Sequence, residues 1–373
     1  VIRLAQPPVD EGDIAAVASV LRSGWLVQGP EVRAFESETA RLAGAAHGIA
    51  VSNGTAGLHL ALLAMGMGPG DEVAVAAYSW PATANAIVLC GATPVFVDIE
   101  PGSFGMDPGR LRDLLRARPG IKAVLPVHAF GGFSDMPAIR AAADAHRIPV
   151  LEDAACALGA RLGGRLAGSW GAAACFSFHA RKVVTTGEGG VVVTDDEAVA
   201  DRLRALRNHG LDPKSGEPDF ILAGFNCRMT EFQGALGRRQ LAKLPDLIAA
   251  HRRVARWYDE LLASMPVELP KAIEPEAHVF QAYVVLLPRS LAARRPRVIA
   301  RLRALGVEAT LGTHHIPLIG FYRQQGGYQP GDFPATDDLG ARALALPVHH
   351  ALTRADAELV ARSFGAAMEQ ETE

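Results

Sequence analysis

Lys182 sits in FSFHARKVVTTGEGG (176–190), between an aromatic run and a glycine-rich run that carries Glu188. A lysine amine reacts as a nucleophile when it is desolvated or lies beside another cation, because either condition lowers its pKa. Arg181 is adjacent, Ser177 and His179 precede it at strand spacing, and the glycines after Glu188 permit close backbone approach. Taken alone, the segment fits a solvated surface lysine equally well. A second segment, LEDAACALGA (151–160), ends an apolar run on two acids, Glu152 and Asp153. Side chains alternate along a strand, so one of the two faces the strand end. A carboxylate there is costly unless paired, and it can hold a heterocyclic nitrogen in its protonated state. A helix N-cap accounts for the same acids.

Two further segments add different chemistry. SNGTAGLH (52–59) gathers small residues at a helix start, where free backbone N–H groups make an anion site. It matches neither GxxxxGK[ST] nor GxGxxG, and a plain helix cap reads the same. In YSWPATANA (78–86), Trp80 follows a strand, where it either stacks on a flat ring or belongs to the core. An amine able to form a Schiff base, a carboxylate for a ring nitrogen, a stacking group and an anion cradle are together what pyridoxal phosphate (PLP) needs.

The elements that must position these residues are legible from hydrophobic patterning. Strand signals at 48–53, 71–77, 93–99, 121–127 and 148–153 alternate with helix signals at 55–67, 82–89, 108–116 and 136–146. That rhythm predicts a mainly parallel α/β sheet covered on both faces. All four chemical segments then fall at strand carboxyl ends, where ligands gather in such sheets. Strands at 173–178 and 189–195 follow without long helices between them. After Thr230 the pattern changes to one or two long helices over 231–264 with a break at Pro245, then a strand at 281–288 and a helix over 291–306. A smaller α+β domain from about residue 246 is the economical reading.

The chain has 373 residues and a net charge of −3 with acids and bases mixed, which gives no electrostatic case for nucleic acid or an anionic membrane as partner. The arginines of 294–303 suit the wet side of a helix. Cys90, Cys156, Cys175 and Cys227 form no CxxC pair, which fits a reducing cytoplasm rather than a disulfide framework. There is no signal-peptide pattern and no apolar run that spans a bilayer. The start at Val1 is read as the loss of an initiator or short leader. The pairs His314-His315 and His349-His350 point their side chains to opposite faces if extended, so no metal site is expected.

With SGWLVQGPEVRAFE (23–36), GDEVAVAAYSWPATANAI (70–87), GATPVFVDIEP (91–101), LRNHG (206–210) and GFNCRMTEFQGALGRRQL (224–241), these segments give the chain a resemblance over nearly its whole length. It resembles the DegT/StrS family of sugar aminotransferases, which have the aspartate aminotransferase-like fold. The resemblance implies an α/β protein of PLP fold type I. A large PLP-binding domain, residues 1–245, would carry a mainly parallel seven-stranded sheet, and residues 246–373 would form the small C-terminal domain. By the same resemblance Lys182 would carry the Schiff base, Asp153 would bind the pyridine nitrogen, and Trp80 would stack on the ring. Thr55, Ala56 and Ser177 would hold the phosphate, and His179 would lie near the cofactor. Asn226 would reach the phosphate of a neighbouring subunit, which implies a homodimer with shared sites.

Two departures bear on function. Many members have Gln three residues after the aspartate, near the cofactor's phenolic oxygen; this chain has Cys156, a shorter and weaker hydrogen-bonding group. The family's sugar dehydratases have His in place of the lysine, so Lys182 argues for transamination. The implied reaction moves an amino group from glutamate or glutamine to a keto-sugar, with a nucleotide attached, in aminosugar biosynthesis. The alternatives are amination of a keto-cyclitol or other non-nucleotide ketone, and a non-catalytic PLP-binding regulator. Substrate contacts are sought among Trp25, His209, Arg228, His314, His315 and Tyr322.

Overall fold

The computed structural model describes residues 1–372. Its strands are β1 (His47–Val51), β2 (Glu72–Ala76), β3 (Tyr78–Ser79), β4 (Thr93–Val97), β5 (Ile121–Leu125), β6 (Leu151–Asp153), β7 (Arg161–Leu162), β8 (Arg165–Leu166), β9 (Ala173–Ser177), β10 (Gly190–Thr194), β11 (Tyr283–Leu286), β12 (Thr310–Leu311), β13 (His314–His315) and β14 (Ala343–Leu346). The runs EVAVA, IKAVL, AACFS and GVVVT are rich in small or β-branched apolar residues and are buried along nearly their whole length. Such strands need cover on both faces, and helices provide it.

The central sheet has the order β1-β10-β9-β6-β5-β2-β4. β9 and β6 pair in parallel, as do β2 with β5 and β2 with β4. Parallel bridges Val124–Val150 and Val127–Asp153 join β5 to β6. β10 alone of the seven runs against both its neighbours. The mainly parallel seven-stranded sheet is therefore present. The weakened rhythm near residue 180 has a simple cause: antiparallel neighbours need no crossover helix. The connection from β9 to β10 stays at the strand ends as a loop, and Lys182 lies on it.

Helix Gly54–Ala64 packs directly on the sheet. A Cβ on Gly57 would lie 2.5 Å from Cys175 Sγ, so only glycine allows that approach. The expected break at Pro245 does not occur: one helix runs from Glu231 to Leu262. A proline inside a helix removes one backbone hydrogen bond and costs about 3 kcal/mol. Leu241, Leu244, Leu247 and Ile248, on either side of it, are all buried in the main core. At about 1.5–3 kcal/mol for each buried aliphatic side chain, that anchoring outweighs the proline.

Past this helix, β11, β14 and β12 form an antiparallel sheet. Its residues share an apolar cluster with the far end of helix Glu231–Leu262 and with helices Arg295–Ala304 and Arg354–Thr372. Between β12 and β14 the polypeptide crosses to the short strand that follows β2, where β13 pairs with β3 through His314–Ser79 and His315–Tyr78.

Candidate active site

The two acids at the end of β6 have opposite surroundings. Glu152 is fully buried and accepts four hydrogen bonds: from Gly168 N at 3.0 Å, Trp170 N at 2.8 Å, Gly171 N at 2.7 Å and His128 Nε2 at 2.9 Å. Ser134 N–H donates to His128 Nδ1 at 3.3 Å, which leaves the ring proton on Nε2, facing Glu152. Glu152 thus ties the 168–171 turn to the sheet and has no capacity left for a ligand. Asp153 points the other way. It is 5% exposed, and its carboxylate accepts from Thr83 Oγ1 at 2.6 Å and from Ala155 N at 3.2 Å. Thr83 Oγ1 is itself 2.8 Å from Ser79 Oγ. Burial raises the Asp153 pKa, against the Thr83 hydrogen bond, the Ala155 N–H and the positive charge of Lys182. A buried anion with that bias gains most from a cationic N–H brought by a ligand.

The chain has five lysines. Lys122, Lys214 and Lys271 are exposed, and Lys243 is bound by Asp10 at 2.7 Å and Asp13 at 2.5 Å. Lys182 is half-buried, and its Nζ lies 2.9 Å from Cys156 Sγ. Gln281 fixes the backbone on both sides of it: Nε2 donates to Arg181 O at 2.6 Å, and Oε1 accepts from Val183 N at 2.8 Å. A residue next to β11 therefore sets the position of a lysine on the β9–β10 loop.

The segment read as an anion cradle opens helix Gly54–Ala64. Asn53 caps helix Gly54–Ala64, and its Oδ1 accepts from Ala56 N at 2.9 Å. Thr55 and Ala56 lie in the first turn, where N–H groups lack intrahelical acceptors. Ser177 lies against this turn: a Cβ on Gly54 would be 3.1 Å from Ser177 Cβ and 3.4 Å from its Oγ. Trp80 is 58% exposed, not a core residue, and meets His314 edge-on at 5.2 Å between ring centroids. His179 is half-buried and local in its bonding. Its Nδ1 accepts from Arg181 N at 3.2 Å, its Nε2 is 3.7 Å from Glu188 Oε1, and burial lowers its pKa.

The remaining candidates divide. Asn226 and His209 are exposed on the 208–228 loop, which is pinned by an Asn208–Asn226 bridge. Arg228 Nη1 donates to Asn208 Oδ1 at 2.5 Å, while its buried Nε has no partner. Trp25 is exposed, with its indole N–H on Val27 O at 2.9 Å. Tyr322 is 3% exposed and donates to Asn85 Oδ1 at 2.5 Å, so it belongs to the core rather than the crevice. His315 is committed to Asp337 at 3.0 Å. The sequence reading passed over Thr83, Ser79, His128 and Gln281. The first two lie within the YSWPATANA segment but carry no spacing signal of their own, and Gln281 is brought in only by the fold.

The family model for DegT/DnrJ/EryC1/StrS aminotransferases matches residues 7–365. The chain belongs to this family. The aminotransferase is 40% identical over 368 residues, 96% of each chain, to the GDP-perosamine synthase of Caulobacter vibrioides. Among solved structures it superposes on Helicobacter pylori PseC, an aminotransferase in the biosynthesis of pseudoaminic acid. The TM-score is 0.93 at 27% identity, over 99% of both chains. It also superposes on Streptococcus pneumoniae Spr1654 in its PLP form, with TM-score 0.93 at 26% identity over 99% of both chains. The aminotransferase is a PLP-dependent enzyme of fold type I. Its residues fit that cofactor: a half-buried lysine amine, a buried carboxylate, an open indole face and a helix N-terminus backed by a serine are present together. Among the described residues no helix is long and apolar enough to cross a membrane.

Proposed function

We propose that this aminotransferase moves the amino group of glutamate or glutamine onto a keto-sugar carried on a nucleotide, for aminosugar biosynthesis. The observation that carries the assignment of roles is a half-buried lysine amine beside Cys156, on the turn that follows the buried carboxylate of Asp153, whose pKa the lysine's charge lowers against burial. PLP, when bound, supplies the electron sink for the carbon that loses its proton. Asp153 holds the ring nitrogen in its protonated form, and its burial makes that pairing favourable. Thr55, Ala56 and Ser177 take the phosphate, with Ala56 N–H shared between phosphate and Asn53 Oδ1. Trp80 covers a ring face. Cys156, 2.9 Å from Lys182 Nζ, would meet the cofactor's edge, and His179 braces the lysine turn. Lys182 Nζ would take the proton from the donor's carbon as general base and deliver it, as general acid, to the cofactor's carbon. The small molecules named in GDP-perosamine synthase and PseC support a sugar acceptor, the first of them nucleotide-linked.

A homodimer completes the site in this reading. Trp25, Leu26, Val27, Phe220, Ile221 and Phe225 are exposed apolar side chains. The bridges Val27–Thr230 and Asn208–Asn226 gather the segments that bear them. An apolar surface of this kind is the normal seat of a second copy. Asn226 then reaches the partner's phosphate. Four free thiols fit a reducing compartment, and we place the enzyme in the cytoplasm.

The test is a split reaction followed by absorbance. Glutamate or glutamine should convert the bound PLP to its amino form, and a nucleotide-linked keto-sugar should restore it. Restoration only by free ketones such as keto-cyclitols would refute the nucleotide-sugar assignment.

A further inference from the structure

Cys156 is not explained by its nearness to the cofactor alone. Its Sγ is 2.9 Å from Lys182 Nζ, on a turn that follows β6 and is half-buried. Cys90 and Cys175 make their hydrogen bonds to backbone carbonyls rather than to an amine, although the charge of Lys182 also acts on Cys175. Cys90 and Cys175 are buried, with Sγ donating to His59 O at 3.6 Å and to Gly54 O at 3.3 Å. Burial raises the pKa of both, and that of Cys227, which is half-buried beside Ser52. A thiolate is the form that peroxide oxidises, and Lys182 Nζ is the amine within reach of Cys156 Sγ. A sulfenic acid next to a nitrogen condenses with it to a sulfenamide.

We propose that Cys156 and Lys182 form a peroxide-sensitive covalent lock, a reversible Sγ–Nζ sulfenamide that removes the amine from use. The thiolate displaces hydroxide from hydrogen peroxide and becomes the sulfenic acid, so sulfur loses two electrons and peroxide gains them. The released hydroxide takes one proton from the Lys182 ammonium, giving water. The neutral amine attacks sulfur, the N–S bond forms, and the sulfenic oxygen leaves as a second water. Two equivalents of a small thiol reverse the bond, returning thiol and amine and leaving a disulfide of the reductant. A glutamine at position 156 could not do this. The lock's effect on turnover, though not its formation, rests on the reading that Lys182 is the cofactor lysine. The lock closes when Lys182 is free, which in that reading is the state left after the amino donor has reacted.

The test treats the holoenzyme with hydrogen peroxide in three states: as purified, after glutamate, and with excess PLP. Digestion and tandem mass spectrometry then follow. The expected product links the Cys156 and Lys182 peptides with a mass lower by two hydrogens. It should be most abundant after glutamate, suppressed by excess PLP, removed by dithiothreitol, and absent from Cys156→Ser and Lys182→Arg. Recovery of Cys156 as sulfinic acid or as a mixed disulfide, with Lys182 unmodified, overturns the lock. A linked peptide that forms equally with and without excess PLP would keep the lock and overturn the cofactor role of Lys182.

Discussion

Glu152 and Asp153 are neighbours in sequence, and the structure predicts that replacing them has opposite consequences. In Glu152→Gln one oxygen remains for the shorter pair of contacts, from Trp170 N and Gly171 N. The amide nitrogen then faces two donors, His128 Nε2–H and Gly168 N–H. His128 cannot move its proton without losing the Ser134 contact. A hydrogen bond to a charged group contributes about 1.5–3 kcal/mol, so two lost in a buried site cost about 3–6 kcal/mol. In Asp153→Asn the amide can donate to Thr83 Oγ1, which rotates to donate to Ser79, and a buried charge is removed. Folding stability should change by no more than about 1 kcal/mol, while turnover should fall about a hundredfold or more with the loss of a preorganised charge. Urea denaturation at one protein concentration, analysed for midpoint and slope, measures the first quantity; steady-state kinetics on the folded variants measures the second. A Glu152→Gln protein within about 1 kcal/mol of the parent, or an Asp153→Asn enzyme that keeps its turnover, would refute these roles.

Three further outcomes follow from single contacts. Gln281→Ala releases the backbone on both sides of Lys182 and should lower kcat about tenfold, or 1.4 kcal/mol, with little change in melting temperature; an unchanged kcat would show that the loop holds itself. Thr83→Val removes the hydroxyl from Asp153 and should reduce turnover about tenfold to a hundredfold, with Thr83→Ser restoring most of it in the same assay. Burial pushes the pKa of His278 down to about 3 and that of His251 down to about 4, from an ordinary value of 6.5. Both are folded-state depressions of a base, so the stability they permit is complete above pH 6.5 and is lost as pH falls. Each should cost about 1.4 kcal/mol per pH unit from there to about pH 4. His278→Asn, which keeps an acceptor for Phe280 N, should flatten the measured slope by about one proton.

The large sheet was legible because its strands are apolar on both faces and its helices follow at regular intervals. The strand at 93–97 and the helix at 82–89 fall where hydrophobic patterning placed them. The helix through Pro245 was not legible, because burial of its flanking leucines is a tertiary effect that local propensity does not contain. At the site, Lys182, Trp80 and the two acids were marked by unusual residues at strand ends. Alternation said that one acid faces the crevice, and the partners of Glu152 now show which. Gln281 and Thr83 carry ordinary side chains that act only because distant strands meet, so no local pattern could announce them. Tyr322, sought as a substrate contact, has the structural role instead: Phe96 and Asn85 hold it in the core.

The central claim is that Lys182, among five lysines, is the one that bonds PLP. Borohydride reduction of the PLP-loaded enzyme, followed by digestion and mass spectrometry, reads this directly. The reduced cofactor should lie on the peptide containing Lys182, with none retained by Lys182→Ala. Reduced cofactor on Lys122, Lys214, Lys243 or Lys271, or undiminished retention by the variant, would contradict it.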